Sequence, residues 1–275
     1  MNDLYKTLIY DNQVSLSVMD TTELVNKAIQ IHKLNAQAAK TLGGMLTCGV
    51  FMAGCLKSDR GAVSITVKAE ENVGTVSVSG DINLHMRGYI DGTLEGKLKG
   101  GSMTVVKEDG FFRPFVGTTE LVSDDVSLNF MQYFDRSEQV PTAVCIGVDI
   151  EGDVCTAAGG VVMQLLPGTS DMNRDLAEEK MQNFLQPEKL IAKMGAKGIM
   201  ENYFGGLTTK ENVYLTHPDY ICNCSRQKIS AILLTMGKSE LYNILEEQGK
   251  ISVHCHYCNT DYLFDKEDID RLTNG

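Results

Sequence analysis

Four cysteines near the C-terminal end constrain this chain more than any other feature. They stand as Cys222-x-Cys224 and, after 30 intervening residues, as Cys255-x-x-Cys258. Two short loops that supply two thiolates each are typical of a tetrahedral zinc site, because Zn²⁺ accepts four thiolates at about 2.3 Å. The Cys-x-Cys loop is tighter than the Cys-x-x-Cys loops of most zinc ribbons. The sequence therefore predicts one zinc ion per chain, bound by these four residues.

The same four thiols also predict redox chemistry. Zinc-held thiolate is the nucleophilic form that peroxides and hypochlorous acid attack, and neighbouring thiols released from zinc would lie close enough to oxidise together. The residues alone leave both a purely architectural zinc and a reactive one open. His254 and His256 flank the second pair. Because four thiolates already complete the shell, neither histidine is predicted to be a ligand.

The other four cysteines are predicted to be small buried apolar side chains. Cys48 and Cys55 are seven residues apart on an apolar helix and fall on one face, which favours packing over a redox pair. Cys145 lies in an apolar strand, and Cys155 is interpreted in the same way. The sequence does not decide whether any of the four also oxidises.

Composition excludes several classes of partner. The 275 residues carry a formal net charge of −11 with a pI near 4.9, and no basic stripe is visible. Proteins that bind nucleic acid or anionic membranes neutralise phosphates with clustered Lys and Arg, so we expect neither partner. The longest uncharged runs, 41–56 and 154–170, are too short to span a bilayer comfortably. The start of the chain lacks the features of a signal peptide, which predicts a cytoplasmic protein with reduced thiols.

Hydrophobic periodicity predicts an α+β fold in three parts. Residues 1–170 form the first part, an N-terminal antiparallel-sheet domain with packed helices. Residues 5–18 alternate apolar and polar side chains as in a hairpin, a helix follows Asp20, and an apolar helix rich in small residues follows Asn35. Short alternating segments separated by glycines continue the sheet from Ala62 onward.

The second part, residues 171–216, is predicted to be a metastable helical linker. It has mixed charge, recurrent methionines and several glycines, which lower helix propensity by up to about 1 kcal/mol each relative to alanine. Pro187 divides it into two helices. Its methionines offer a soft, adaptable apolar surface, although ordinary helix packing explains them equally well.

The third part, residues 217–275, is predicted to be a small C-terminal zinc-binding domain. Ser225 and Ser239 stand where they can cap two helices. In the first of these helices Ile229, Ile232 and Leu233 are expected to face inward. A hairpin carries the second cysteine pair, and a structural zinc can contribute about 10–16 kcal/mol of folding free energy to a unit this small.

No conventional catalytic constellation is present, so the protein is not expected to be an enzyme. The glycine-rich run from Gly92 to Gly101 lacks the order of a phosphate-binding loop and precedes a strand, which indicates turns. The sequence contains neither the Gly-x-Ser-x-Gly elbow of hydrolases nor the His-Glu-x-x-His motif of zinc proteases.

Several stretches, in order along nearly the whole chain, resemble one known family. The most specific is the four-cysteine arrangement followed by Tyr262-x-Phe264, and the supporting stretches are Arg87-Gly-Tyr, Gly100-Gly-Ser-Met-Thr-Val-Val-Lys, Tyr133-Phe-x-x-Ser-Glu-Gln-Val-Pro-Thr and Ala158-Gly-Gly-Val-Val-Met-Gln-Leu-Leu-Pro. On these residues the chain is similar to heat-shock protein 33, the redox-regulated 33 kDa chaperonin of bacteria.

The resemblance implies an ATP-independent holdase that is inactive while reduced and zinc-bound. It implies activation when oxidants convert the four ligands to the disulfides Cys222–Cys224 and Cys255–Cys258 and release the zinc. It also implies that the C-terminal domain and the linker then unfold, that unfolding client proteins bind, and that homodimers form. Two other functions stay open from the residues: a structural zinc-ribbon interaction module of the transcription or translation machinery, and a thiol-disulfide oxidoreductase.

Overall fold

The computed structural model describes residues 1–69, 74–92, 98–110 and 113–274. Residues 93–97 of the run predicted as turns lie outside these ranges. The chain divides into two compact units, Met1–Ile221 and Cys222–Gly275. Mainly antiparallel sheets and helices make up the described part of the first unit, which confirms the predicted α+β class. Within the described ranges, no helix has both the length and the apolar character needed to cross a membrane.

The first half of the larger unit is mostly sheet. Its elements are β1 (Asp3–Ile9), β2 (Val14–Asp20), α1 (Thr22–His32), α2 (Ala36–Ala53), β3 (Ala62–Lys68), β4 (Thr75–Asp81), β5 (His85–Asp91), β6 (Ser102–Glu108) and β7 (Phe115–Glu120). The hairpin predicted over residues 5–18 is confirmed as β1 and β2, which pair in register from Asp3↔Asp20 to Ile9↔Val14.

The second half adds four strands and three α-helices in its described residues. Its elements are α3 (Val126–Tyr133), β8 (Thr142–Glu151), β9 (Val154–Leu165), α4 (Asp171–Met181), α5 (Pro187–Ile199), β10 (Tyr214–Thr216) and β11 (Asp219–Tyr220). A π-helical turn, Phe134–Glu138, follows α3, and another, Met200–Phe204, follows α5.

Two sheets enclose one central helix. The first sheet has the strand order β10-β1-β2-β9-β8, and the second has the order β11-β5-β4-β3-β6-β7. Helix α2 contacts strands of both sheets and is buried along nearly its whole length, which its small residues allow. A Cβ at Gly49 would lie 2.9 Å from side-chain atoms of both Val78 and Met86, so a larger residue would force these side chains to shift. The predicted apolar helix is therefore the centre of the larger core.

The segment predicted as a linker packs against the first sheet. Helices α4 and α5 and the turns after them contribute Met181, Phe184 and Phe204 to an apolar cluster with strand residues of β1, β2 and β9. The Phe184 and Phe204 rings stack with centroids 5.5 Å apart. Met181 is buried, whereas the side chain of Met172 is 67% exposed. The helices and their division at Pro187 are confirmed, while the role of 171–216 as a switchable linker stays a prediction.

Phe204→Ala is expected to lower the free energy of unfolding of the larger unit by about 3–5 kcal/mol, because removal of a fully buried ring leaves a cavity. Met172→Ala is the matched control in the same segment, and its exposed side chain predicts a change within about 0.5 kcal/mol. Urea unfolding followed by far-UV circular dichroism measures both, since the chain has no tryptophan. Equal midpoints for the two variants would contradict a core role for Phe204.

The smaller unit contains three helices and a hairpin in its described residues. These are α6 (Arg226–Leu234), α7 (Lys238–Gln248), β12 (Ile251–Cys255), β13 (Thr260–Phe264) and α8 (Lys266–Asn274). The core of this unit is small and consists of Leu233, Leu241, Leu245, Ile251, Phe264 and Ile269, with partly buried neighbours. Ser225 caps α6 as predicted, because its hydroxyl accepts a hydrogen bond from the Lys228 amide.

Two local predictions for this unit are wrong. Helix α7 begins after Gly237 rather than after Ser239, because Gly237 adopts a φ of 87° that other residues rarely take. Ile232 was expected to face inward and is 61% exposed, whereas Leu233 is buried. Neighbouring helical residues are rotated by about 100°, so Leu233 shares the inner face with Ile229 and Ile232 leaves it.

Candidate metal centre

Local structure brings the two cysteine pairs to one place in the smaller unit. Cys222 begins the unit, and Cys224 precedes Ser225, the residue that caps α6. Cys255 is the last residue of β12, and Cys258 lies in the turn before β13. The pairing of Cys255 with Thr260 closes this hairpin and folds the Cys-x-x-Cys loop back on itself.

The four sulfurs form one compact cluster. All four Sγ atoms lie within 4.8 Å of one another. The Sγ atoms of Cys222 and Cys255 are 3.7 Å apart, and those of Cys224 and Cys258 are 3.2 Å apart. A tetrahedral ion with metal–sulfur bonds of about 2.3 Å requires sulfur separations of about 3.8 Å. The arrangement therefore fits a four-coordinate metal site, and all four cysteines are free thiols.

The environments of the thiols differ. Burial raises the pKa of Cys224, but hydrogen bonds from Tyr262 and from the neighbouring thiols outweigh burial and lower this pKa to about 7. The Tyr262 hydroxyl lies 3.1 Å from Cys224 Sγ, and this hydrogen bond raises the pKa of Tyr262 to about 12. Burial raises the pKa of Cys222 and of Cys258. A divalent cation at the centre is what would stabilise all four as thiolates.

The sequence does not predict the contact between the Tyr262 hydroxyl and Cys224 Sγ. Tyr262 belongs to a stretch that resembles the family, but the sequence pattern does not show that its hydroxyl contacts a ligand sulfur. The antiparallel register places Tyr262 opposite Val253, two residues before Cys255. The one sequence feature that could have predicted this contact is a tyrosine on the strand that follows the Cys-x-x-Cys loop.

The histidines lie outside the sulfur cluster. His254 Nδ1 is 2.7 Å from Asp261 Oδ1, and its ring meets the His256 ring edge-on with centroids 5.0 Å apart. Neither histidine belongs to the group of candidate ligands. Among the described residues, the four cysteines are the only such group of three or more that lies this close together.

The remaining cysteines are separate from the centre. Cys48 and Cys155 are buried, as predicted, and Cys145 is partly buried in β8. The prediction for Cys55 is wrong: helix α2 ends at Ala53, so the residue lies past the helix and its side chain is exposed. Its sulfur is 3.9 Å from Lys6 Nζ.

Comparison with known proteins agrees with this fold. The family model described as Hsp33 protein matches residues 2–265. The chain belongs to the Hsp33 family. Two similar relatives are the 33 kDa chaperonins of Bacillus cytotoxicus and Bacillus cereus, each 33% identical over 98% of this chain and 97% of the relative.

A solved structure supports the same assignment. The crystal structure of the 33 kDa chaperonin from Thermotoga maritima, an Hsp33 homologue, matches with a TM-score of 0.87 at 26% identity. The match covers 98% of this chain and 97% of that one. Membership of the Hsp33 family supports a chaperone function, and the four-cysteine cluster indicates a metal site.

Proposed function

We propose that the protein is a redox-regulated, ATP-independent holdase that binds unfolding proteins during oxidative stress. The observation that carries this proposal is the cluster of four thiols within 4.8 Å in a unit with a small apolar core. Family membership supports the chaperone part. In this proposal the protein is cytoplasmic, is not an enzyme and acts on clients rather than on nucleic acid or membranes.

The metal in this proposal is zinc, one ion per chain. Cys222, Cys224, Cys255 and Cys258 would hold it through their Sγ atoms, and the donor set favours zinc because four thiolates in tetrahedral arrangement suit it. When bound, the ion supplies the positive charge that stabilises four adjacent thiolates and joins the two loops.

Oxidation would remove this set of ligands. Hydrogen peroxide takes two electrons from a pair of thiolates and, with two protons from the solvent, becomes two molecules of water, while one S–S bond forms. We propose the pairs Cys222–Cys224 and Cys255–Cys258. Disulfide sulfurs no longer bind the metal as thiolates, so the smaller unit depends on its apolar core alone. We expect that core to be too small to keep the unit folded by itself.

The response of residues 171–216 completes the proposed switch. This segment precedes the metal-binding unit in the chain and contains a kink at Gly195, where φ is 65°. Its exposed Met172 and Leu185, together with buried residues such as Met181, would offer an adaptable apolar surface once the helices loosen. We propose that clients bind this surface and that the activated chains form homodimers.

The direct test is client aggregation. At the unfolding temperature of a client such as citrate synthase, the peroxide-treated protein is expected to suppress light scattering at an equimolar ratio, and the reduced zinc-loaded protein is not. Cys55→Ser is the matched control, because Cys55 is exposed and lies outside the cluster, and its switching should be unchanged. If neither the reduced nor the oxidised protein suppresses light scattering, the proposal is wrong.

A further inference from the structure

One short segment completes both sheets of the larger unit. Residues 214–221, called here the closing segment, contain β10 and β11. Strand β10 pairs antiparallel with β1 at one edge of the first sheet, and β11 pairs parallel with β5 at one edge of the second. The closing segment ends at Ile221, and the next residue in the chain is Cys222. The same eight residues therefore cover two sheet edges directly before the first candidate metal ligand.

At the β5 edge the closing segment acts as a bound peptide. The Asp219 amide donates to the Leu84 carbonyl at 3.1 Å, and the Ile221 amide donates to the Met86 carbonyl at 2.9 Å. Between them Tyr220 turns its ring inward and is only 7% exposed. Extended backbone paired with a sheet edge, together with one buried side chain, is the usual form of peptide recognition by strand addition.

The Tyr220 hydroxyl binds main-chain groups of β5 beyond the last backbone hydrogen bond between β11 and β5. It donates to the Gly88 carbonyl at 2.6 Å and accepts from the Gly88 amide at 3.2 Å. His32 Nε2 lies 3.1 Å from the same oxygen. One side-chain hydroxyl thus satisfies both main-chain groups of Gly88, which the backbone of an additional strand residue could satisfy equally well.

The closing segment is paired over only a few residues, so its pairing depends on the order of the residues on either side of it. Strand β10 has three residues and β11 has two, and Tyr214 is 71% exposed. Fixing one residue costs about 1–2 kcal/mol of conformational entropy, so a strand this short gains from being held at both ends. Once the residues after Ile221 lose their order, one end is free and pairing with β5 becomes less favourable.

We propose that the β5 edge from Leu84 to Gly88 is a binding site for extended polypeptide with an aromatic side chain, occupied by the closing segment at rest. Its partner is an unfolded client, whose backbone pairs with β5 and whose tyrosine or phenylalanine takes the position of the Tyr220 ring. This inference rests on the proposed function, because oxidation of the neighbouring unit is what frees the edge. Under this inference clients bind at two places, the apolar surface of residues 171–216 and the β5 edge, where they pair through their backbone.

A labelled copy of the closing segment tests the site. The probe is a fluorescein-tagged octapeptide with the sequence of residues 214–221, and its anisotropy is followed with full-length protein. Reduced zinc-loaded wild type should bind weakly because its edge is filled. Reduced Tyr220→Ala and oxidised wild type should each bind at least about tenfold more tightly. A peptide with alanine at the position of Tyr220 should lose this gain.

Hydrogen exchange locates the binding. The Gly88 amide, which donates to the Tyr220 hydroxyl, should exchange slowly in reduced wild type, faster in Tyr220→Ala, and slowly again when the peptide is added. Tyr214→Ala is the matched control, since it removes an exposed tyrosine from the same segment and should behave as wild type. Circular dichroism and zinc content test whether Tyr220→Ala is folded. Tyr220→Phe, which keeps the ring, should show a smaller gain and replaces Tyr220→Ala if that variant does not fold.

The outcomes separate this site from the proposed function. If neither oxidised wild type nor the folded Tyr220 variants bind the peptide, the inference is overturned even when oxidised protein suppresses aggregation. Binding without competition against a client would overturn the client role of the edge. Binding by a protein that never suppresses aggregation would retain the peptide site and reject the holdase proposal. Peptide binding that competes with client, together with restored protection of the Gly88 amide, supports the inference.

Discussion

Chelation of the metal from the reduced protein is expected to unfold the smaller unit and leave the sheets of the larger unit folded. The unit has an apolar core of a few residues, whereas a structural zinc contributes about 10–16 kcal/mol of apparent folding free energy. Hydrogen exchange with mass spectrometry measures the result. Amides of α6 and α7 should lose protection completely, while those of β2 and β9, in the centre of the first sheet, should keep theirs.

Two variants distinguish loss of the metal from nonspecific damage. Cys255→Ser removes one sulfur from the cluster and should reproduce the effect of the chelator at low zinc concentration. His256→Ala changes the next residue, which lies outside the cluster, and should keep one zinc per chain with full protection. Retained protection of α6 and α7 after complete removal of zinc would show that the apolar core is sufficient, and the metal would then be no switch.

The sequence predicts those elements that have a regular pattern. Strand β2 alternates apolar and polar residues from Val14 to Val18, and the run of small apolar residues in α2 is too long for a strand. The short β10 and β11 could not be predicted, because two or three residues have no period. Their pairing with β1 and β5 joins residues more than 100 positions apart, which only the folded sheets bring together.

The sequence predicts the four candidate ligands but not the residues that contact them. Cysteine spacing alone identifies the four sulfurs, because few other arrangements place four thiols in two short loops. The hydrogen bond from Tyr262 to Cys224 depends on hairpin register, so it needed the structure. For Cys55 a signal was present: Gly54 stands at the end of α2, and glycine commonly terminates helices.

Peroxide is expected to release the zinc completely and to link Cys222 with Cys224 and Cys255 with Cys258. The resting geometry alone does not select these pairs. The separations of 3.7 and 3.2 Å belong to Cys222 with Cys255 and to Cys224 with Cys258, and in a compact cluster every sulfur neighbours every other. Peptide mapping by mass spectrometry after blocking free thiols identifies the pairs, and a chromogenic chelator measures the zinc.

The energetic consequences of the two pairings are opposite. A disulfide between Cys222 and Cys255 joins residues separated by 33 positions and would stabilise the folded unit by about 4 kcal/mol through loop closure. A disulfide within one loop closes only three or four residues and contributes about 2 kcal/mol or less. Pairing across the loops would thus replace the metal as the connection between them. Pairing within each loop leaves the loops free to separate.

The pairing therefore decides whether oxidation can act as a switch. Cross-linked peptides that join the two loops, in a unit whose α6 and α7 amides remain protected, would contradict the proposed activation. Pairs within each loop, with one zinc released and protection lost, would support it. Cys55→Ser should give the same map as wild type, because its sulfur lies outside the cluster. If the metal is the main stabiliser of the smaller unit, oxidation can unfold this unit only when the new disulfides do not join the two cysteine loops that the metal joined.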